Sequence, residues 1–299
     1  MLEPLFLAID IGGTNQTVAA GFSSGKLRHV ERLRTAPGAT AREIVEGVCA
    51  AGERALTVMG AGRTAAIGVG FGGPVDVAHG VILRSHHVSA WDGFPLRETL
   101  TARFGAPVTL DNDANAGALG EARFGAGRGH QQLLYVNVGT GIGAGIIVDG
   151  RIHRGAHGLA GEIGHVTVFR DGRRCDCGKR GCLEAYASGR AIGGPDVTRA
   201  ASGGDAGARQ KLDDAARWLA IGIGAAVNVL NPSAVIVGGG VSDAGELLLG
   251  PLRRYLAGEL MPGMPAPLVL KAALGYDAGV IGALALACAA YDASEASAS

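Results

Sequence analysis

The sequence predicts an α/β fold built from two copies of one motif, and three observations carry that prediction. Short apolar runs of strand length alternate with longer stretches of helical periodicity. A strand, a Gly/Thr-rich turn and a returning strand occur at Leu5 to Phe22 and again at Leu133 to Val148, about 125 residues apart. Glycine numbers 51 of 299 residues, more than twice the ~7% of an average chain. These glycines fall between the apolar runs, so tight turns and close backbone approaches are expected.

Composition narrows the class further. A hydrophobic content of 47% over this length is enough for two buried cores. Lys plus Arg equals Asp plus Glu at 27 each, which leaves no electrostatic footprint for nucleic acid or an anionic membrane. The first residues, MLEPLFLAID, have no basic start and too short an apolar run for a signal peptide. The longest apolar stretches, Trp218 to Leu230 and Gly279 to Ala290, fall short of a membrane span of ~20 residues. A soluble, cytoplasmic protein is expected.

Leu5 to Ile9 is an apolar strand ending in Asp10, Gly12-Gly13-Thr14 makes the turn, and Thr17 to Phe22 returns. Without Cβ atoms, such a tip lets backbone N–H groups approach a phosphate. A helix over Ala41 to Met59 and a strand over Ala65 to Phe71 lead to Gly72-Gly73-Pro74-Val75-Asp76. A β-rich stretch follows to His86-His87, a pair that suits a surface or supporting position as well as a site. After a helix over Leu96 to Phe104, Pro107 to Leu110 reads as a strand whose end carries Asp111, Asn112 and Asp113 into a helix over Ala114 to Phe124. The carboxyl end of a strand is where an α/β sheet presents groups to a ligand, and Asn112 or Asp113 also suits a plain N-cap.

The second half repeats the scheme. Leu133 to Val138 is a strand, Gly139 to Gly143 a glycine-rich turn, and Ala144 to Val148 the return. There is no G-x-x-x-x-G-K-[ST] motif, so the P-loop class is excluded. Glu162 and His165 then stand three apart in a glycine-dense loop, followed by Cys175, Cys177 and Cys182 in the pattern His-x9-Cys-x-Cys-x4-Cys. Three thiolates and an imidazole suit a structural zinc, and Gly178 and Gly181 allow the loop to fold back. If zinc holds one nitrogen of His165, the other is a protonated donor free to reach a hydroxyl. Glu184, two residues past the last cysteine, is fixed by the same clamp. Cys49 and Cys288 read as plain buried thiols.

A long helix from Asp205 to Leu230 carries Gly222 and Gly224, which permit close packing, and Asn231-Pro232 ends it. Ala234 to Val237 is a strand leading to Gly238-Gly239-Gly240, which suits a ligand close to the backbone or a simple tight turn. Asp243 and Glu246 are placed for a capping box opening a helix to Leu260. Tyr276 to Tyr291 reads as a buried helix, and Asp292 to Ser299 as a frayed end.

DIGGT at Asp10 to Thr14, LDNDANAGALGE at Leu110 to Glu121, GTGIGAG at Gly139 to Gly145, GLAGEIGH at Gly158 to His165, CDCGKRGCLE at Cys175 to Glu184 and VIVGGGVS at Val235 to Ser242 occur in order. Together they resemble the ROK family of sugar kinases and sugar-responsive repressors over essentially the whole chain. The resemblance implies a two-lobed, actin-like (ribonuclease H-like) duplicated fold with an interlobe cleft and a small zinc-binding loop. The lobes are expected at 1–116 and 117–299, with the last helix, about 277–291, packing back on the N-terminal lobe.

The same resemblance implies an ATP- and Mg2+-dependent hexose kinase with Asp113 as the catalytic base. Gly73, Asn112, Asp113, Glu162, His165 and Glu184 would hold the sugar, and His165, Cys175, Cys177 and Cys182 the zinc. Asp10 would face the Mg-nucleotide, while Gly12, Gly13, Thr14, Thr140 and Gly141 would form the phosphate hairpins and Gly238, Gly239 and Gly240 would lie by the adenosine. A homodimer or homotetramer is implied by the family. The expected reaction converts glucose to glucose 6-phosphate, with fructose, mannose, N-acetylmannosamine and N-acetylglucosamine open as acceptors. Phosphoryl transfer asks a protein mainly for alignment and charge stabilisation, which these parts supply.

The chain departs from the family pattern at Gly72, where many members have Pro-Gly-Pro-Val-Asp, and at His86-His87, where the sugar-facing loop often carries Asn or Thr. Both bear on the identity of the sugar rather than on the chemistry. A repressor would need a DNA-binding module of ~60 to 80 residues before Asp10, and the sequence leads to the expectation of none. A sugar-binding module without catalysis would have no use for Asp113 and two phosphate hairpins. Polyphosphate as donor would call for a basic groove, which the balanced charge does not indicate.

Overall fold

The computed structural model describes residues 3–83 and 91–298. By its internal contacts the chain divides into two units, Met1–Phe124 with Arg154–Leu159 and Tyr276–Ser299, and Gly125–His153 with Ala160–Gly275.

In the first unit β1 (Leu5–Ile11), β2 (Asn15–Phe22) and β3 (Leu27–Arg34) run antiparallel, and α1 (Ala41–Val58) leads to β4 (Ala66–Phe71). A ribbon of β5 (Val75–Asp76) and β6 (Val81–Ile82) precedes α2 (Leu96–Phe104), β7 (Val108–Asn112) and α3 (Asp113–Phe124). The sheet order is β3-β2-β1-β4-β7, with β4 parallel to β1 and β7 parallel to β4. Alternation along β1 sends Leu7, Ile9 and Ile11 to a core with Val45, Val48 and Ala55 of α1. Phe6 and Ala8 go to a second core with Ala283, Leu284 and Ala287 of the C-terminal helix, Ala278–Ala298. Because both faces are covered, the strand reads as an unbroken apolar run.

The C-terminal helix comes unusually near its neighbours. A Cβ on Gly68 would lie 1.8 Å from the Ala283 carbonyl oxygen, and one on Gly282 would lie 2.5 Å from the backbone of Ala116. The helix continues to Ala298, which corrects the expectation of a frayed end after Tyr291. Arg123 pairs with Asp292 at 2.6 Å and the Ser294 hydroxyl donates to the Tyr291 carbonyl, so local partners accompany the added turns.

The second unit repeats the first. β8 (Leu133–Val138), β9 (Ile142–Val148) and β10 (Arg151–Ile152) run antiparallel, followed by the short helices α4 (Glu184–Ala187), α5 (Gly189–Ile192) and α6 (Pro195–Ser202). The long α7 (Ala206–Leu230), β11 (Ala234–Gly238), α8 (Glu246–Glu259) and β12 (Leu268–Lys271) complete it. The sheet order β10-β9-β8-β11-β12, with β8, β11 and β12 mutually parallel, matches that of the first unit strand for strand. α7 starts where the Asp205 carboxylate accepts from the Ala208 N–H and stops at Asn231, whose φ is 46°. The close packing expected of Gly222 and Gly224 is made against Leu183 and Glu259.

The expected capping box at Asp243 and Glu246 does not form. The chain enters α8 through a 3-10 turn at Gly240–Ala244 and then Gly245, whose φ of 57° and ψ of −128° turn the backbone as only glycine readily does. Asp243 instead pairs with Lys271 at 3.0 Å, and Glu246 with Arg253 at 2.7 Å. Among the described residues no helix is long and apolar enough to cross a membrane.

Candidate active site

In the first unit the β1–β2 turn is closed by the Gly12 N–H, which donates to the Asn15 carbonyl at 3.0 Å, leaving Gly13 and Thr14 at its tip. The parallel register sets Asp10, Gly70 and Asp111 side by side across β1, β4 and β7. A Cβ on Gly70 would lie 3.6 Å from an Asp10 carboxylate oxygen and 3.9 Å from the Asp113 Cα. One on Gly72 would lie 3.6 Å from the Gly12 Cα and 3.7 Å from an Asp113 carboxylate oxygen. Two carboxylates and the first hairpin therefore converge over a floor without side chains. Burial foremost, and then the charge of Asp113, push the Asp10 carboxyl from its ordinary 3.8 up to about 7. A cation between the two groups would relieve both effects.

The strand-to-helix turn carries its own scaffold. The Asn112 amide donates to the Gly73 carbonyl at 3.2 Å, and its oxygen accepts from the Ala114 N–H at 2.9 Å, so Asn112 also serves as the cap of α3. Asp113 Oδ1 accepts from the same N–H at 2.8 Å. Asp111 is turned into the protein and is 1% exposed. Its oxygens take the Asn112 N–H, the Asn115 amide and the guanidinium of Arg154, at 2.7 to 2.9 Å. Asp111 thereby holds the turn from behind.

In the second unit the Gly139 N–H donates to the Gly141 carbonyl at 3.0 Å, closing the β8–β9 turn. A Glu184 oxygen accepts from the Ile142 N–H at 2.8 Å, and a Cβ on Gly141 would lie 2.4 Å from that oxygen. Thr140 and Gly240 line one cavity of about 450 Å³ together with Arg190, Pro195, Thr198 and Val241. Gly238 and Gly239 serve packing: their Cβ atoms would lie 2.5 Å from the Tyr135 hydroxyl and 2.5 Å from the Val138 backbone.

The His165, Cys175, Cys177 and Cys182 ligand atoms all lie within 4.8 Å of one another. Cys175 Sγ is 3.7 Å from His165 Nδ1, and Cys177 Sγ is 3.7 Å from Cys182 Sγ. A tetrahedral zinc with ~2.3 Å bonds to sulfur spaces its ligands roughly 3.8 Å apart, so the donor set fits that ion in both chemistry and spacing. Gly178 at φ 90° and Gly181 at φ 78° make the predicted reversals. With His165 Nδ1 turned to the thiols, Nε2 faces Glu162 at 3.8 Å. Glu184 begins α4 two residues after Cys182 and so links this loop to the β8–β9 hairpin.

Gly73, Asn112, Asp113, Asp10, Gly12, Gly13 and Thr14 thus lie in the first unit, and Glu162, His165, Glu184, Thr140, Gly141 and Gly238 to Gly240 in the second. His86 and His87 lie outside the described residues. Sequence reading missed Arg154, 43 residues from Asp111 with no pattern joining them. It also missed Gly279, where a Cβ would lie 2.3 Å from an Asp10 oxygen. Gly279 sits in a stretch that reads as ordinary apolar helix. Arg190 was missed as well.

Two sheets of one strand order, each opening in a glycine hairpin, define the duplicated actin-like class of fold. The chain belongs to the ROK family, which matches residues 6–290. It is 34% identical to a glucokinase of Streptomyces coelicolor, covering 95% of this chain and 97% of that one. It is similar to the crystal structure of a ROK hexokinase from Thermus thermophilus, with a TM-score of 0.84, 36% identity and coverage of 97% and 99%. It is likewise similar to that of a ROK family glucokinase from Streptomyces griseus in complex with glucose and AMPPNP, with a TM-score of 0.81, 37% identity and coverage of 95% and 99%.

Proposed function

We propose that this chain is an ATP-dependent hexose kinase that converts glucose to glucose 6-phosphate. The observation that carries the reading is the convergence of the Asp10 and Asp113 carboxylates on the glycine floor beside the first hairpin. In this reading Asp113 takes the proton of the 6-hydroxyl as its oxygen attacks the γ-phosphorus and ADP leaves. An alcohol is too weak an acid to ionise beforehand, so the base acts in the transition state. Asp10 would hold the Mg2+ of the nucleotide, which supplies charge neutralisation. Gly12 to Thr14 and Thr140 with Gly141 would hold phosphates, and Gly238 to Gly240 would lie by the adenosine, with Gly240 exposed to the cavity.

Gly73, Asn112, Glu162, His165 and Glu184 would bind the sugar hydroxyls, each a positioned partner that lets the site reject sugars lacking the group. Zinc on His165, Cys175, Cys177 and Cys182 would fix the loop without taking part in the chemistry. Two lobes, a cytoplasmic location and assembly into a dimer or tetramer belong to the same reading by family precedent; of the expected bounds 1–116 and 117–299, internal contacts move the first to Phe124 and return Tyr276–Ser299 to the first unit.

The test is a coupled ADP-release assay with Mg-ATP over glucose, fructose, mannose and the N-acetylhexosamines, with Asp113→Asn alongside. Glucose turnover that falls ~10²- to 10⁴-fold in the variant, while glucose binding persists, is the expected result. Turnover on another sugar alone would change the acceptor, and sugar binding without any turnover would remove the kinase reading.

A further inference from the structure

We propose that Arg190 binds the phosphate tail of the nucleotide, a role that rests on the kinase reading above. Backbone contacts set its place. The Gly189 N–H donates to the Gly139 carbonyl at 2.8 Å, docking α5 onto the second hairpin. Residue 189 has no room for a side chain, since a Cβ there would lie 2.7 Å from that same carbonyl oxygen. The first side chain to leave α5 beside the hairpin is therefore that of Arg190. Among the described residues lining the 450 Å³ cavity with Thr140 and Gly240, it is the only charged one.

Arg190 also lines a second cavity of about 270 Å³, shared with Arg173, Arg174 and Glu184. Its guanidinium lies 2.6 Å from Asp176, between the ligands Cys175 and Cys177, and 3.9 Å from Glu184. The Asp176 side chain is 75% exposed, and an ion pair in that setting contributes little, so it yields readily to a stronger anion. Phosphate oxygens match the guanidinium fork in geometry and exceed a lone carboxylate in charge, so they compete well for it. The second hairpin supplies only backbone donors and a hydroxyl, and a cation beside it adds to the charge neutralisation that the Mg2+ of the nucleotide supplies.

Equilibrium binding of adenosine, ADP and ATP to the zinc-loaded protein tests this with Arg190→Gln, Arg190→Lys and Asp176→Asn. Arg190→Gln is expected to weaken ADP and ATP roughly ten- to a hundredfold and leave adenosine unchanged. Arg190→Lys should recover part of the loss, and Asp176→Asn should match the parent. The KM for ATP should rise in Arg190→Gln while that for glucose holds. Unchanged ADP affinity in Arg190→Gln would overturn the proposal. So would a loss shared equally by adenosine, or one that Asp176→Asn reproduces together with loss of zinc, because Arg190 would then be a tether of the loop. The binding arms need no turnover: a protein that phosphorylates no hexose would overturn the kinase reading, while the ADP and adenosine affinities still decide Arg190.

Discussion

In the first unit the strand entering the glycine hairpin carries Asp10 two residues before Gly12, and in the second the matching position before Gly139 is Asn137. Both side chains are crowded by a glycine of a neighbouring segment: Cβ atoms on Gly279 and Gly239 would lie 2.3 Å from an Asp10 oxygen and 2.6 Å from the Asn137 oxygen. Crowding of a carboxylate removes water from a charge, whereas crowding of an amide does not, so only the first hairpin acquires a displaced titration. The second takes its carboxylate from outside the hairpin, as Glu184 on the Ile142 N–H. Duplication thus preserved the backbone cradle while charge was distributed anew.

Making the hairpins alike should have the largest effect. Asp10→Asn is expected to lower turnover about a hundredfold or more, by removing the carboxylate that would hold the Mg2+ of the nucleotide against the transferring group. It should also change the pH dependence of stability without Mg2+. The folded value of about 7 lies above the ordinary 3.8, so the protonated group favours the native state. That contribution is full below about pH 4 and is lost as pH climbs through about 7. The thermal midpoint of the parent should therefore fall more than that of Asp10→Asn between pH 5 and 8, and parallel curves would show that Asp10 titrates normally.

The buried charge behind the Asn112–Asp113 turn comes next. Arg154→Met strands the Asp111 carboxylate and should cost about 3 kcal/mol in denaturant unfolding, with most of it regained when Asp111→Asn is added. No recovery in the double variant would mean that Arg154 acts through something other than this pair.

Removal of zinc should weaken glucose binding ten- to a hundredfold and spare ADP, as expected of a support that orients ligands rather than reacting. Metal-free protein with undiminished glucose affinity would break the link between the cysteine loop, His165 and Glu184. The smallest effect should come from Gly141→Ala, whose methyl would displace the Glu184 carboxylate from Ile142. The glucose KM should rise roughly tenfold with stability little changed, and an unaltered KM would argue that Glu184 does not touch the sugar.

The sequence by itself determined what depends on near neighbours. Both hairpins follow from apolar runs broken by Gly12-Gly13 and Gly139-Thr140-Gly141, and the start and stop of α7 follow from Asp205 and Asn231. The His165 and cysteine spacing sufficed to group four ligands, because a short loop can bring together only what it contains. Reading Asp243 and Glu246 as a cap failed because Gly245 redirects the backbone between them, and residue type alone does not report a φ of 57°. Tertiary structure alone decided the partners of the charged groups that meet across separate elements. Arg154 reaches Asp111 across 43 positions, Gly279 meets Asp10 from the far end of the chain, and Arg190 lines a cavity with Thr140 because Gly189 docks on Gly139. Such contacts arise when separate elements bury their apolar faces together, and periodicity within one element records which face is buried but not what it will meet.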